Sequence, residues 1–199
     1  MTDFNSAART WDSNNIHVQR SEAIALNLLA RIQLKPEMVA LEFGAGTGIL
    51  SFMLADRLGS ITMMDSASEM VAVMQEKVDA AGDTNLKPVL FDLTAQPYDN
   101  GPFNLIFSQM ALHHVADTQS IIHQFHSLLD EGGTLAIADL YTEDGSFHGE
   151  GFDGHNGFDA TDLEVQMKKA GFQSVQTETC FTMQKGGASY PIFLIIASK

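Results

Sequence analysis

The sequence predicts an α/β fold: a three-layer αβα sandwich around a mostly parallel seven-stranded sheet that ends in a C-terminal antiparallel hairpin. Three observations carry this expectation. Short apolar runs alternate with longer amphipathic segments through the middle of the chain, the pattern of parallel strands covered by helices on both faces. A glycine-rich turn leaves the first apolar run and enters the segment after it. Two β-rich runs at the end are separated only by Gln184 to Ser189, too short for a parallel crossover, which needs about a dozen residues or more.

In chain order, Met1 to Arg20 reads as irregular or loosely helical and Ser21 to Leu34 as helical, together a cap segment over residues 1–34. Met38 to Phe43 is the first strand, an amphipathic stretch runs to Leu58, and Ser60 to Asp65 is the second strand. Ser66 and Glu69 have capping-box spacing at a helix start. Met70, Met74 and Val78 then repeat every fourth residue as a core-facing stripe. Leu86 to Asp92 and Phe103 to Met110 are the third and fourth strands, on either side of a turn from Gln96 to Pro102. A helix starts at Thr118, carries Ile121, Phe125 and Leu128 inward, and is expected to stop at Gly132-Gly133 before the fifth strand, Thr134 to Leu140.

Tyr141 to Asp159 is too long for an ordinary connection, where loops run roughly 4–6 residues, and is expected to be a lid or binding loop. Thr161 and Glu164 again have capping-box spacing, Leu163, Met167 and Ala170 form a stripe, and Gly171 is a stop. Ser174 to Met183 and Tyr190 to Ala197 make the hairpin. No interior linker or repeat interrupts this order. Residues 1–199 are therefore read as one domain: cap 1–34, cofactor-binding core 38–140, lid loop 141–159, and helix with hairpin 160–199.

A chain of 199 residues that is 45% hydrophobic can bury one sizeable core. Its net charge of −14, with basic residues scattered singly, opposes binding to a phosphate backbone or an anionic membrane surface. Cys180, the single cysteine, sits in a strand and reads as a small buried hydrophobe. Met1 is followed by neither a basic nor an apolar leader segment, and the expected location is the cytoplasm.

The strongest local signal is Leu41-Glu42-Phe43-Gly44-Ala45-Gly46-Thr47-Gly48. Glycines there let the backbone turn sharply and let a ligand approach without meeting a Cβ, although such a turn alone is also a structural device. Asp65 ends the second strand 21 residues after Gly44, where its carboxylate can accept two ribose hydroxyls; the alternative is a helix cap, for which Ser66 is the better candidate. Asp92 ends the third strand similarly and could accept from an adenine amino group beside Leu93, or be a plain strand-end acid. A nicotinamide fingerprint needs a third glycine where this chain has Ile49. Glu42, two residues before the turn, adds negative charge that disfavours pyrophosphate and favours a cation. S-adenosylmethionine is cationic at one end and carries adenosine at the other.

With these residues in place, Glu42 to Gly48, Asp65 to Met70, Phe91-Asp92-Leu93, Phe103 to Val115 and Leu128 to Leu140 resemble successive motifs of the class I, Rossmann-like, S-adenosylmethionine-dependent methyltransferases. The resemblance covers most of residues 38–199 and implies that Gly44, Ala45, Gly46, Thr47 and Gly48 hold the cofactor with Glu42. It further implies that Asp65 holds the ribose and that Ser66, Asp92 and Leu93 flank the adenine; Met70 and Ser108 fall in the matching segments and join that set. Asn104 departs from the family, which usually has Asp there. Met110 to Val115 resembles the small-molecule branch rather than the nucleic-acid amino methyltransferases, whose Asn/Asp-Pro-Pro-Tyr/Phe sequence is missing.

Methyl transfer from a sulfonium needs chiefly alignment and a dry cavity. For a hydroxyl or amine acceptor, His113 or His114 could act as base; adjacent side chains diverge, so at most one is expected to face the acceptor, and structural bonding to the backbone is the commoner role. His123 and His126 read as solvated. His148 and His155, with Glu150 and Asp153, match no zinc spacing, so a solvated lid and no metal are expected. Phe4, Trp11 with Asp12, Phe147, Phe152 and Phe158 are the aromatics that could line a pocket, with Phe158 favoured for the core. The expected partner is a small-molecule methyl acceptor. The alternatives are a domain that binds S-adenosylmethionine without catalysis, and a nicotinamide-dependent oxidoreductase, for which no Tyr-x-x-x-Lys pair is present.

Overall fold

The apolar runs form the sheet in the expected order. The computed structural model describes residues 3–82 and 85–199; Met1 and Thr2 of the cap segment lie outside them. The strands are β1 (Val39–Phe43), β2 (Ser60–Asp65), β3 (Leu86–Leu90), β4 (Phe103–Gln109), β5 (Leu129–Leu140), β6 (Gln173–Lys185) and β7 (Ala188–Ser198). They lie in the order β3-β2-β1-β4-β5-β7-β6. β1 pairs in parallel with β2 and β4, β2 with β3, and β4 with β5. β7 runs antiparallel to both its neighbours, and Gly186-Gly187, at φ +60° and +83°, make the two-residue turn that feeds it. The chain order reverses between β1 and β4, so a crevice opens at their carboxyl ends, the switch point where ligands of open α/β sheets bind.

The helices are α1 (Phe4–Ala7), α2 (Asn15–Arg31), α3 (Ile49–Leu54), α4 (Ser68–Ala81), α5 (Thr118–Leu128) and α6 (Ala160–Lys169). Ile24, Leu28, Leu50, Leu54, Met74 and Val78 place α2, α3 and α4 against one face of the sheet, with Ala40, Met63 and Phe107. Ile121, Phe125, Leu163 and Met167 place α5 and α6 against the other, with Leu41, Ile106 and Ile137. The strand period of two sets these directions. No helix among the described residues is long and apolar enough to cross a membrane.

Several local expectations change. α2 begins at Asn15, capped by Asn14, whose Oδ1 accepts from the N–H of Ile16, so the helix starts well before Ser21. α5 ends at Leu128 because Leu129 already pairs with Phe103, leaving Gly132-Gly133 inside an irregular part of β5. Ser66 does not cap α4: its N-cap is Ala67, and the N–H of Glu69 is bound by Asn5 Oδ1 at 3.0 Å. Thr161 does not cap α6; Asp159 accepts from Thr161 N and Asp162 N instead. Asn104 Oδ1 accepts from Val39 N at 2.9 Å, so the departure from Asp keeps an oxygen acceptor joining β4 to β1. Cys180 is half-buried in β6, and burial pushes its thiol up to about 12.

Candidate active site

A cavity of about 370 Å³ runs along the carboxyl edge of the sheet. Its acidic end is built by the chain leaving β2 and β3, where Asp65, Ser66 and Asp92 line it with Met70 and Leu93. Its middle is the glycine turn after β1, Gly44 to Gly46. Gly44 has φ +66°, and a Cβ there would collide with the Cβ of Ala111, so the turn and the loop after β4 close on each other only because Gly44 has no side chain. Asp65 Oδ2 accepts from Gly46 N at 2.7 Å and Oδ1 from Ala67 N at 2.9 Å. Burial pushes the Asp65 carboxyl up, against the pull of these N–H donors. The expectation that Ser66 leaves this acid free is thus corrected: Asp65 already clamps the turn, with about two lone-pair sites remaining for a ligand. Asp92 accepts from Thr94 N and Thr94 Oγ1.

The N-terminal segment closes the cavity from above. Phe4, Trp11, His17 and Arg20 line it. Arg9 binds Glu76, and Asp12 accepts from Lys77 Nζ at 2.7 Å and from Thr47 Oγ1, tying the segment to α4 and to the glycine turn. Arg20 is 6% exposed, and its Nε has no hydrogen-bond partner among the described residues. Burial pushes the guanidinium down to about 10, opposed by Asp139. A buried guanidinium with an unsatisfied N–H on a cavity wall is a place for an anionic group. The sequence reading passed over Arg20, although it stands four residues before Ile24 and eight before Leu28 on the buried stripe of α2.

Four expected cofactor residues are off the cavity wall. Glu42 shares the β1 face of Ala40 and turns toward α3, where Ser51 Oγ donates to it; it is fully buried, and burial pushes its carboxyl up to about 8. Its charge is therefore largely neutralised near pH 7 and does not face the cleft, because the strand pleat aims it into the helical layer. The side chain of Thr47 is taken by Asp12, Gly48 is the N-cap of α3, and Ser108 Oγ donates to Phe43 O. These three shape the turn and β1 without lining the cavity.

The other end of the cavity, after β4 and β5, is built from histidines and aromatics. Met110 leaves β4 at φ +52°, a conformation uncommon for a side-chain-bearing residue. His113 and His114 follow, and both line the cavity. His113 Nδ1 lies 2.6 Å from Asp139 Oδ1, while its backbone N–H donates to Oδ2 at 3.1 Å. Burial works to raise the Asp139 pKa, but His113 and the surrounding N–H donors hold it below its usual range.

His148 is not a solvated lid residue. It reaches into the same cavity and stacks on Phe152 at 3.8 Å. Burial pushes both His114 and His148 down to about 4. His155 is tied to Val115 O at 3.0 Å. Phe147 lines the cavity and Phe158 is in the core, whereas Phe152 lies behind His148. His123 is exposed, while His126 packs edge-on against Phe172 at 5.0 Å.

The glycine turn after the first strand and the acid at the end of the second thus meet at one carboxyl edge of this sheet. Residues 40–133 match the family model for a methyltransferase domain, and the chain is similar to S-adenosylmethionine-dependent methyltransferases, including a structure solved with S-adenosyl-L-methionine. It is similar to phosphoethanolamine N-methyltransferase 2 of Caenorhabditis elegans, 26% identical over 154 residues that cover 72% of this chain and 34% of that protein. A chain from the complex of the Haloferax volcanii Trm112 methyltransferase activator with a methyltransferase superposes at a TM-score of 0.78 and 17% identity, covering 100% of this chain and 98% of the other. Phosphoethanolamine N-methyltransferase 2 of Haemonchus contortus, solved with phosphomonomethylethanolamine and S-adenosylhomocysteine, superposes at 0.74 with 18% identity, covering 88% and 52%. These structural likenesses are likenesses of fold. The chain spans 34% and 43% of the length of the first two curated relatives it matches.

Proposed function

We propose that this protein transfers the methyl group of S-adenosylmethionine to a small molecule bound at the histidine end of the cavity. The observation that carries the reading is that Gly44 to Gly46, Asp65 and the unpartnered Arg20 share one cavity wall. Those residues fit the cofactor: Asp65 retains acceptor sites for the ribose hydroxyls, Ser66, Asp92 and Leu93 would flank the adenine, and Arg20 would meet the methionine carboxylate. When bound, the cofactor supplies an electrophilic methyl group on a sulfonium that leaves as a neutral thioether.

The protein's own work is alignment and exclusion of water. Trp11 and Phe4 cover the cleft, Phe147 and His148 close its far end, and holding donor and acceptor in line can contribute roughly 7–11 kcal/mol. His113 and His114 present ring nitrogens to the acceptor side, where they accept the hydrogen of a hydroxyl or amine. The net charge of −14 supports a small acceptor over a nucleic acid.

Calorimetric titration with S-adenosylhomocysteine should give one site per chain, and radiolabel from the methyl donor should pass to a low-molecular-weight fraction of a metabolite extract. Binding without label transfer to any metabolite would reduce the protein to a cofactor-binding domain. No binding at millimolar ligand would remove the assignment altogether.

A further inference from the structure

From the three imidazoles at the far end of the cavity, we infer a binding site for a divalent first-row transition ion of the zinc class, held by His113, His114 and His148. Their candidate ligand atoms all lie within 4.8 Å of one another, and the ring centroids are 4.2, 4.9 and 5.4 Å apart. Nitrogens bound to one tetrahedral zinc are about 3.3 Å apart, so binding would draw the rings together by up to about 1.5 Å, with His148, in a turn outside the helices and strands, the ring to move.

Two features separate this cluster from a chance meeting of histidines. His113 points Nδ1 at the fully buried Asp139, which also accepts from the backbone N–H groups of His113 and Leu140. That arrangement assigns the proton to Nδ1 and leaves Nε2 as a bare acceptor, the carboxylate–histidine pairing that orients metal ligands. Nε2 of His113 and Nε2 of His148 are both buried with no hydrogen-bond partner among the described residues. Two unsatisfied buried nitrogens in one cavity are costly unless something between them accepts their lone pairs.

The rings also pack against aromatic side chains. His148 stacks on Phe152 at 14° between planes, and His114 stands edge-on to Phe4 at 5.1 Å. Three neutral nitrogens suit zinc, copper, iron or nickel rather than magnesium or calcium, and three protein ligands leave a position open toward the cavity. Arg20 and Lys185 put positive charge on the same wall, so the open position takes an oxygen of a neutral or anionic ligand and not a further cation. An ion there would bind the acceptor through that oxygen and lower the pKa of a coordinated hydroxyl, in place of the direct proton acceptance that the metal-free imidazoles of His113 and His114 offer.

The test uses metal alone and no cofactor, so its failure leaves the methyl-transfer reading standing. The protein, stripped with chelator, is titrated with zinc chloride by calorimetry and with cobalt(II) by visible absorption. One equivalent should bind, with the intense d–d bands of a four-coordinate cobalt site and a rise in melting temperature. His148 lies in a loop outside the helices and strands; His148→Ala should keep the melting temperature of the stripped protein and lose both the bands and the rise. Asp139→Asn should weaken binding about 10- to 100-fold, and His123→Ala, at an exposed position of α5, should bind as the native chain does. Failure to bind an equivalent, or binding undiminished in both His148→Ala and Asp139→Asn, would overturn the site.

Discussion

Replacing Asp65 with alanine is expected to weaken binding of S-adenosylhomocysteine by roughly 1–3 kcal/mol, measured by calorimetry, since charge-assisted bonds to the ribose are lost. The structure adds a second reason for a large effect. Asp65 fixes the glycine turn through Gly46 N and the start of α4 through Ala67 N, so the alanine variant also loosens the surface on which the ligand lies. Asp65→Asn separates the two contributions. Its single carbonyl oxygen can keep one of these N–H groups, while its amide nitrogen would face the other donor. Affinity between those of the native and alanine proteins is therefore expected, and an alanine variant that binds as tightly as the native protein would remove Asp65 from the ligand site.

The second large effect is on stability. Burial penalises the charge of Glu42 and pushes its carboxyl up to about 8 in the folded chain, against 4.5 for an ordinary glutamate. The folded protein therefore holds this proton where the unfolded chain has released it. The contribution to stability is fully present below about pH 4.5, declines as pH rises, and is lost once pH passes about 8. The gap corresponds to a few kcal/mol, with about 1.4 kcal/mol for each pH unit separating the two states. Glu42→Gln retains an oxygen to accept from Ser51 and cannot ionise. Its melting temperature should lie close to that of the native protein at pH 5 and exceed it at pH 9 by roughly 10–20 °C. Melting curves for the two proteins that stay parallel from pH 5 to pH 9 would show that Glu42 ionises freely in the folded chain.

Much of the fold was readable because its signals are local. The period of four in Met70, Met74 and Val78 marks the buried face of α4, and all three are core residues. The short Gly186-Gly187 link leaves β6 and β7 no pairing but an antiparallel one. The misread ends were decided by tertiary partners: Phe103 draws Leu129 into the sheet before the glycines arrive, and Asn5, 64 residues away, binds the N–H of Glu69 at the start of α4. Glu42 shows two rules in competition. A carboxylate beside a glycine turn suggests a cation site, but strand alternation places it with Ala40, facing the helices, and the pleat prevails.

At the site, the residues met by neighbouring strand ends were legible, and those delivered from a distance were not. Asp65 and Asp92 follow adjacent strands. His148 is 35 residues beyond His113, and no spacing rule joins them. They meet because β4 and β5 are neighbours, so the loops leaving their carboxyl ends emerge side by side. Arg20 carried a usable signal, a charge in a stripe otherwise apolar, which scattered counting of basic residues dilutes.

The N-terminal segment is strapped to α4 by Arg9 with Glu76 and Asp12 with Lys77, pairs whose side chains remain between 29% and 59% exposed. Exposed pairs yield to dissolved ions, since at 0.1 M the screening length is about 10 Å. Added salt is therefore expected to loosen the cover and quicken the escape of bound S-adenosylhomocysteine, which stopped-flow displacement at rising ionic strength would read; an escape rate indifferent to salt would show that the strap does not hold the ligand in.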